Sequence, residues 1–136
     1  MKSTKVFSVV PFKQVGPLKF GMSRAEVFTI LGPFDRERKA YTGGIIEIRD
    51  NIFAIYKKDK LNEVTFSSGG KVLLDGQSLL RQKGIDYILN TYEHFSKVGY
   101  TIFPALGISF TEFGKSKDAK VVMVFNKATL KRYLAS

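Results

Sequence analysis

Residues 20–33 read Phe20-Gly21-Met22-Ser23-Arg24-Ala25-Glu26-Val27-Phe28-Thr29-Ile30-Leu31-Gly32-Pro33 and have the local chemistry of a short helix with defined ends. Ser23 followed three residues later by Glu26 is a capping box, in which the serine hydroxyl and the glutamate carboxylate each accept a backbone N–H. Gly32 suits a left-handed helix end, and Pro33 forbids continuation. The stretch therefore predicts a helix over residues 24–31.

The predicted helix has an apolar side that needs a partner. Val27, Ile30 and Leu31 fall on one face, with Phe28 beside them. The chain also contains 12 Phe and 6 Tyr, an aromatic abundance typical of strands and of a core that faces a sheet. We therefore expect this helix to lie on a sheet.

Strand-like runs account for much of the remaining chain. They cover residues 6–10, 45–49, 52–56, 63–66 and 71–74, then 100–103, 108–113 and 120–125. Asp50-Asn51 has the spacing of a hairpin turn, and residues 45–74 are predicted to form an antiparallel meander of four strands. Residues 34–40 are interpreted as a charged connection.

Two further helices are predicted. Apolar residues recur at helical spacing over residues 84–95, and Asn126 can cap a C-terminal helix over residues 127–134. In each half of the chain a helix precedes a hairpin with a lysine-rich tip. No linker divides the chain, so we expect a single domain over residues 1–136. The predicted class is α+β: a two-layer antiparallel sheet with helices packed on one face, built from two helix-then-strands half-repeats.

Composition excludes several classes of function. The chain has 136 residues, 44% hydrophobic and 25% charged, which is an ordinary globular balance. It contains no cysteine, which excludes disulfides, thiol nucleophiles and cysteine-ligated zinc. The N-terminal residues lack the apolar core of a secretory signal, and no window has the length of a membrane span. We expect a cytoplasmic protein without membrane association.

The sequence carries little that indicates catalysis. The single histidine, His94, follows Glu93 near the end of the second predicted helix, where a surface role is the usual one. No spacing resembles a calcium loop, a zinc site or a phosphate-binding glycine loop. We expect a protein that is not an enzyme and uses no cofactor or metal. The absence of known motifs does not exclude an unconventional glycosidase or nuclease.

Positive charge is the strongest functional signal. The formal net charge is +10, and such a surplus attracts polyanions or an acidic protein face. The predicted hairpin tips carry two groups of lysines: Lys57, Lys58 and Lys60, and Lys115, Lys117 and Lys120. With Lys127, Lys131 and Arg132 these residues could contact phosphates, while Tyr56 and Phe113 could stack on bases. Hairpin lysines also serve solubility and edge protection, and alternating aromatics also build sheet cores.

The helix stretch resembles a known motif. Gly21-Met22-Ser23 with Glu26, Val27, Leu31, Gly32 and Pro33 is similar to the segment that forms a helix against an antiparallel sheet in small bacterial proteins of the β-lactamase-inhibitor-like and outer-membrane-lipoprotein assembly type. A looser resemblance to immunity-type bacterial proteins covers most of the chain. Its residues are Ile55-Tyr56-Lys57-Lys58-Asp59-Lys60 and Leu106-Gly107-Ile108-Ser109-Phe110.

The resemblance implies a function as well as a fold. We expect no signal peptide here, and the 136 residues contain no cysteine for lipidation, so the chain departs from the lipoprotein branch. The resemblance therefore implies a cytoplasmic immunity protein of the contact-dependent growth inhibition type, which would neutralise a cognate toxin by occlusion. Antidotes to nuclease toxins are often acidic, so a basic antidote suits a toxin with an acidic patch. The expected partner contacts are the six hairpin lysines, and the alternative is a basic nucleic-acid-binding domain.

Overall fold

The computed structural model describes residues 6–40, 43–67, 71–97, 99–111 and 121–135. The chain begins with β1 (Val6–Val10), β2 (Gln14–Val15), β3 (Leu18–Lys19) and α1 (Arg24–Leu31). Then follow β4 (Arg36–Lys39), β5 (Ile45–Arg49), β6 (Ile52–Lys57), β7 (Lys60–Phe66), β8 (Lys71–Leu74), β9 (Gln77–Ser78) and α2 (Gln82–Thr91). The last elements are β10 (Phe95–Lys97), β11 (Tyr100–Phe103), β12 (Ile108–Thr111), β13 (Val122–Phe125) and α3 (Lys127–Ala135).

An eight-stranded antiparallel sheet forms the larger layer. Its strand order is β10-β11-β12-β13-β7-β6-β5-β4, and β13 pairs with β7 at the centre. Each half of this sheet is therefore one helix followed by four consecutive strands, α1 with β4 to β7 and α2 with β10 to β13. The predicted α+β class is confirmed, and the element order repeats as the sequence pattern indicated.

A smaller sheet has the order β3-β2-β1-β8-β9. Here the prediction that Lys71–Leu74 continues the antiparallel meander is wrong, because β8 pairs with β1 in parallel, Phe7 opposite Val72. Buried residues alternate with less buried ones along β8, and this pattern would suit a strand of the large sheet as well as one of the small sheet. The pattern therefore identifies a strand without identifying its partner.

The first helix has the ends that its sequence predicts. Ser23 Oγ accepts the N–H of Glu26, and the Glu26 carboxylate accepts the N–H of Ser23 at 3.0 Å. Gly32 ends the helix at a positive φ of 81°. The only fully buried residue of this helix is Val27, which packs into the core.

Two predicted boundaries differ from the structure. Residues 36–39 form the edge strand β4, although all four side chains are charged and exposed, so they lack the apolar alternation that marks a strand. The second helix ends at Thr91, because Tyr92 has extended backbone and Phe95 pairs with Ile102 in the large sheet.

The main core lies between the two sheets. One face of the large sheet contributes Tyr56, Val64, Phe66, Phe110 and Val124, all 1% exposed or less. The small sheet, α1 and α2 complete this core from the other side, with Phe7, Val72, Val27, Ile85 and Ile88.

The third helix packs on the opposite face of the large sheet. Asn126 Oδ1 caps it by accepting the N–H of Thr129 at 3.0 Å, as predicted. The Tyr133 ring lies 5.0 Å from the Phe125 ring between centroids, and Lys97 Nζ donates to the carbonyl of Tyr133 at 2.9 Å. On this face α3 contacts β13, β11 and β7 through Phe125, Tyr100 and Glu63. On the β4 to β6 half of the face, Ile46, Phe53 and Ile55 are partly exposed and Ile48 is 5% exposed.

Candidate interaction surfaces

The lysine tip, Lys57 to Lys60 between β6 and β7, is a tight exposed turn. Lys58 and Asp59 both have positive φ, 53° and 61°, which is the geometry of a type I′ hairpin turn. Lys57, Lys58 and Lys60 are all exposed. The structure therefore brings the first predicted group of lysines together at one end of the large sheet.

This tip is fixed to the start of α1. Asp59 Oδ1 accepts the backbone N–H of Arg24 at 3.2 Å. The N–H of Gly21 donates to the carbonyl of Leu61 at 2.7 Å, and the N–H of Leu61 donates to the carbonyl of Met22 at 2.8 Å. Because three bonds join the hairpin to the helix entry, the lysines are presented from a rigid base.

The second predicted group, Lys115, Lys117 and Lys120, lies outside the described residues. The strand that follows it starts at Val122, which pairs with Phe66 at the far end of β7. Lys60 begins β7, so Val122 and Lys60 are separated by about 20 Å along the sheet, at ~3.3 Å per residue. Val122 and Lys60 therefore lie at opposite ends of β7.

Other cations do lie at the end of the sheet that carries the lysine tip. Lys39 pairs with Ile45, which in turn pairs with Tyr56 beside Lys57. Lys127 follows β13 two residues after Phe125, at the same end. Of the remaining predicted cations, Arg132 lies 4.0 Å from Glu63 instead of extending this basic end.

The open sheet face is a second surface, which the prediction from sequence missed. It consists of the outward side chains of β4, β5 and β6: Arg36, Arg38, Ile46, Ile48, Phe53 and Ile55. Ile46, Phe53 and Ile55 are partly exposed and form an apolar centre with the buried Ile48, and the exposed arginines lie on the edge strand. The period-two alternation of Ile46 with Ile48 and of Phe53 with Ile55 is a signal that could have found it.

A buried polar network supports this half of the sheet from the core side. The Glu47 carboxylate is 2% exposed and accepts from Arg24 Nε at 2.7 Å, Tyr56 OH at 2.8 Å and Arg49 Nη1 at 3.0 Å. Arg24 also pairs with Glu37 of β4. Burial raises the pKa of Glu47, but the donors from Arg24, Tyr56 and Arg49 outweigh burial, so its pKa lies below the ordinary value.

A second buried carboxylate lies under α3. Glu63 is 6% exposed on the outward face of β7, with Arg132 at 4.0 Å and Thr65 Oγ1 donating at 3.4 Å. Burial raises its pKa to about 7, and Arg132 and Thr65 offset only part of the effect. The charge state of this residue therefore changes near neutral pH.

His94 lies in the segment between α2 and β10. Its side chain is exposed, its ring lies 5.1 Å from the Phe103 ring, and its Nδ1 is 3.1 Å from the carbonyl oxygen of Tyr92. Within the described ranges, no group of three or more histidine, aspartate or glutamate side chains could hold a metal ion.

Comparison of the chain with protein-family models, with curated proteins and with solved structures found no significant match in any of the three. None of the helices in the described part of the chain combines the length and apolar character that a membrane span requires.

Proposed function

We propose that this protein is a non-enzymatic immunity protein that binds a cognate bacterial toxin and neutralises it by occlusion. The observation that carries the proposal is the open sheet face, where Ile46, Phe53 and Ile55 are partly exposed beside the buried Ile48 and two exposed arginines lie on the edge. An apolar centre with a polar or charged rim is the usual anatomy of a protein interface, and arginine and aromatic residues are enriched there.

The charges of the open sheet face define the kind of partner. Among the described side chains that β4, β5 and β6 direct outward, none is acidic, and Arg36 and Arg38 are exposed. A partner with an apolar ridge bordered by carboxylates complements this face. The Glu47 network holds the strands beneath it, so little conformational entropy is lost on binding.

The lysine tip supports the proposal because its positive charge can raise the rate of association with an acidic partner. Its three lysines lie on a turn that hydrogen bonds fix to α1. Fixed positive charge beside an interface steers an acidic partner towards it and raises the association rate, most strongly at low salt.

The test uses the polypeptide encoded directly upstream of this chain, co-expressed with it in bacteria. We expect the chain to restore growth and to form a stoichiometric complex with that polypeptide. Phe53→Ser should weaken the complex by about tenfold or more, because it removes the central aromatic. The matched control is Phe28→Ser, which removes an exposed ring from α1. No rescue of growth, or equal losses in both variants, would overturn the proposal.

A second candidate function is nucleic-acid binding, favoured by the five lysines that the register gathers at one end of the large sheet: Lys39, Lys57, Lys58, Lys60 and Lys127. Titration with random RNA and duplex DNA at two salt concentrations separates the candidates. Tight binding that falls steeply with salt would favour the nucleic-acid function.

A further inference from the structure

A cleft opens between the N-terminal hairpin and the start of α3. It has a volume of about 570 Å³ and is lined by Pro11, Phe12, Lys13, Asn126, Lys127 and Ala128. Because Lys127 follows β13, the cleft adjoins the end of the large sheet that carries the lysine tip. Clefts of roughly 300–1,000 Å³ are the size that binds small ligands or single side chains of a partner.

Phe12 is held in place at the cleft. Its backbone has a φ of 64°, a conformation that a bulky residue adopts only when its surroundings impose it. Gly107 packs against the ring: a Cβ at that position would lie 3.0 Å from Phe12 Cδ1 and 2.6 Å from the carbonyl oxygen of Phe125. The absence of a side chain at residue 107 therefore makes room for the aromatic ring.

The charge at the cleft is entirely positive among its lining residues. Lys127 Nζ lies 5.6 Å from the centre of the Phe12 ring, a cation–π distance, and Lys13 is exposed beside it. The Asn126 side chain caps α3, which commits its oxygen to the N–H of Thr129. An occupant thus meets the Phe12 ring, the Lys127 ammonium group over it and the exposed side chain of Lys13.

We propose that this cleft binds an acidic side chain of a partner protein, with the carboxylate between Lys13 and Lys127 and its aliphatic stem against Phe12. This inference rests on the proposed function and names a second contact for the same partner, beyond the open sheet face. The number of cations favours a peptide over a nucleic acid, because two lysines line the cleft, whereas a polynucleotide strand needs a row of phosphate contacts.

The first experiment titrates the full chain with a hexaglutamate peptide and follows backbone amide shifts by NMR at low salt. We expect the largest shifts at Phe12, Lys13 and Lys127. Lys13→Gln combined with Lys127→Gln should raise the dissociation constant about fivefold or more. The matched control, Lys71→Gln combined with Lys83→Gln, removes the same charge from exposed positions on β8 and α2 and should change it less than about twofold.

Three outcomes would overturn the inference. They are equal effects of the two double variants, shifts centred elsewhere, and a DNA hexanucleotide that binds the cleft more tightly than hexaglutamate does. Phe12→Leu provides a further check, since it keeps an apolar side chain but removes the ring, and it should weaken hexaglutamate binding while the chain stays folded.

The two proposals fail in different ways. If hexaglutamate binds at the cleft but the upstream polypeptide is not neutralised, the immunity function is wrong and the acidic-ligand site stands. If the polypeptide is neutralised equally well by the Lys13→Gln, Lys127→Gln variant and hexaglutamate does not bind, the cleft inference is wrong and the immunity function stands.

Discussion

The buried carboxylate of Glu47 accepts hydrogen bonds from two arginines and a tyrosine. These bonds connect three elements of the fold through one side chain. Arg24 comes from α1, Arg49 from β5 itself and Tyr56 from β6. A buried ion pair contributes little net stability relative to apolar residues, but losing one member leaves an uncompensated charge. The network therefore makes the position of α1 on the sheet sensitive to single substitutions.

Glu47→Gln is expected to lower the free energy of unfolding by about 3 kcal/mol, because the buried guanidinium of Arg49 loses its anion. Tyr56→Phe removes one hydrogen bond to the same carboxylate and should cost about 1.5 kcal/mol. Urea unfolding measures both values. Equal costs for the two variants would contradict the assignment of Glu47 as the charge that holds this network.

Glu63 should make stability fall as pH rises. Its pKa is about 7 in the folded chain against an ordinary value of 4.5, so the folded state binds the proton more tightly. The stability that this residue contributes is fully present below the unfolded-state pKa and is lost as pH rises through the folded-state pKa. Between about pH 5 and about pH 8 we expect a loss of about 2 kcal/mol in the free energy of unfolding.

The control for this prediction is Glu63→Gln, which mimics the protonated side chain at every pH. At each pH, urea unfolding gives the free energy of unfolding of both chains. Subtracting the value for Glu63→Gln from that of the unsubstituted chain removes the contribution of other titrating groups. Glu47 has a lowered pKa, so it stays ionised in this window and does not mask the effect. An identical pH dependence in the two chains would contradict the burial of an ionisable Glu63 under α3.

At the scale of elements, Gly84 determines how closely α2 approaches β9. Glycine inside a helix usually costs about 1 kcal/mol relative to alanine, so propensity alone predicts that Gly84→Ala stabilises. A Cβ at this position would instead overlap the carbonyl group of Ser78, which is backbone and cannot move aside. We expect a net loss of about 2 kcal/mol in thermal or urea unfolding.

The matched control on the same helix is Asn90→Ala, an exposed position where only propensity acts. It should raise the free energy of unfolding by a few tenths of a kcal/mol. A stabilising Gly84→Ala would show that α2 lies farther from β9 than the structure places it.

The elements that could be predicted from sequence are those whose signals are local. The ends of α1 follow from Ser23, Glu26 and Gly32, and the β5 to β6 hairpin follows from the two residues between its strands. Strand β4 could not be predicted, because an exposed edge strand of charged residues has no apolar pattern. The partner of β8 could not be predicted either, since pairing with β1 is a contact between distant parts of the chain.

The candidate sites also differ in whether their residues are close in sequence or are brought together only by the fold. Lys57, Lys58 and Lys60 could be predicted because they share one turn, whereas the cleft joins Phe12 to Lys127 across nearly the whole chain. The open sheet face depends on which half of the sheet α3 leaves uncovered, and that depends on tertiary packing. The sequence thus identified the charged residues and the alternation of apolar and polar residues along the strands. The register of the paired strands determined which charges lie together.

At the scale of the whole molecule, the two half-repeats form one core and should not fold separately. They meet where β7 pairs with β13 and where β1 pairs with β8, and the core between the sheets takes residues from both halves. Neither half alone buries these faces, so each is expected to remain largely unfolded.

Division of the chain between residues 69 and 70 tests this expectation. We expect each fragment alone to lack cooperative unfolding by circular dichroism, and an equimolar mixture to recover it, because the β7–β13 and β1–β8 pairs re-form between fragments. Val124→Asp in the second fragment is the control. It places a charge opposite Val64 in the core and should abolish recovery. Cooperative unfolding of either fragment alone would instead mean that a single helix with four strands is sufficient to fold, and that the large sheet joins two units that are already stable.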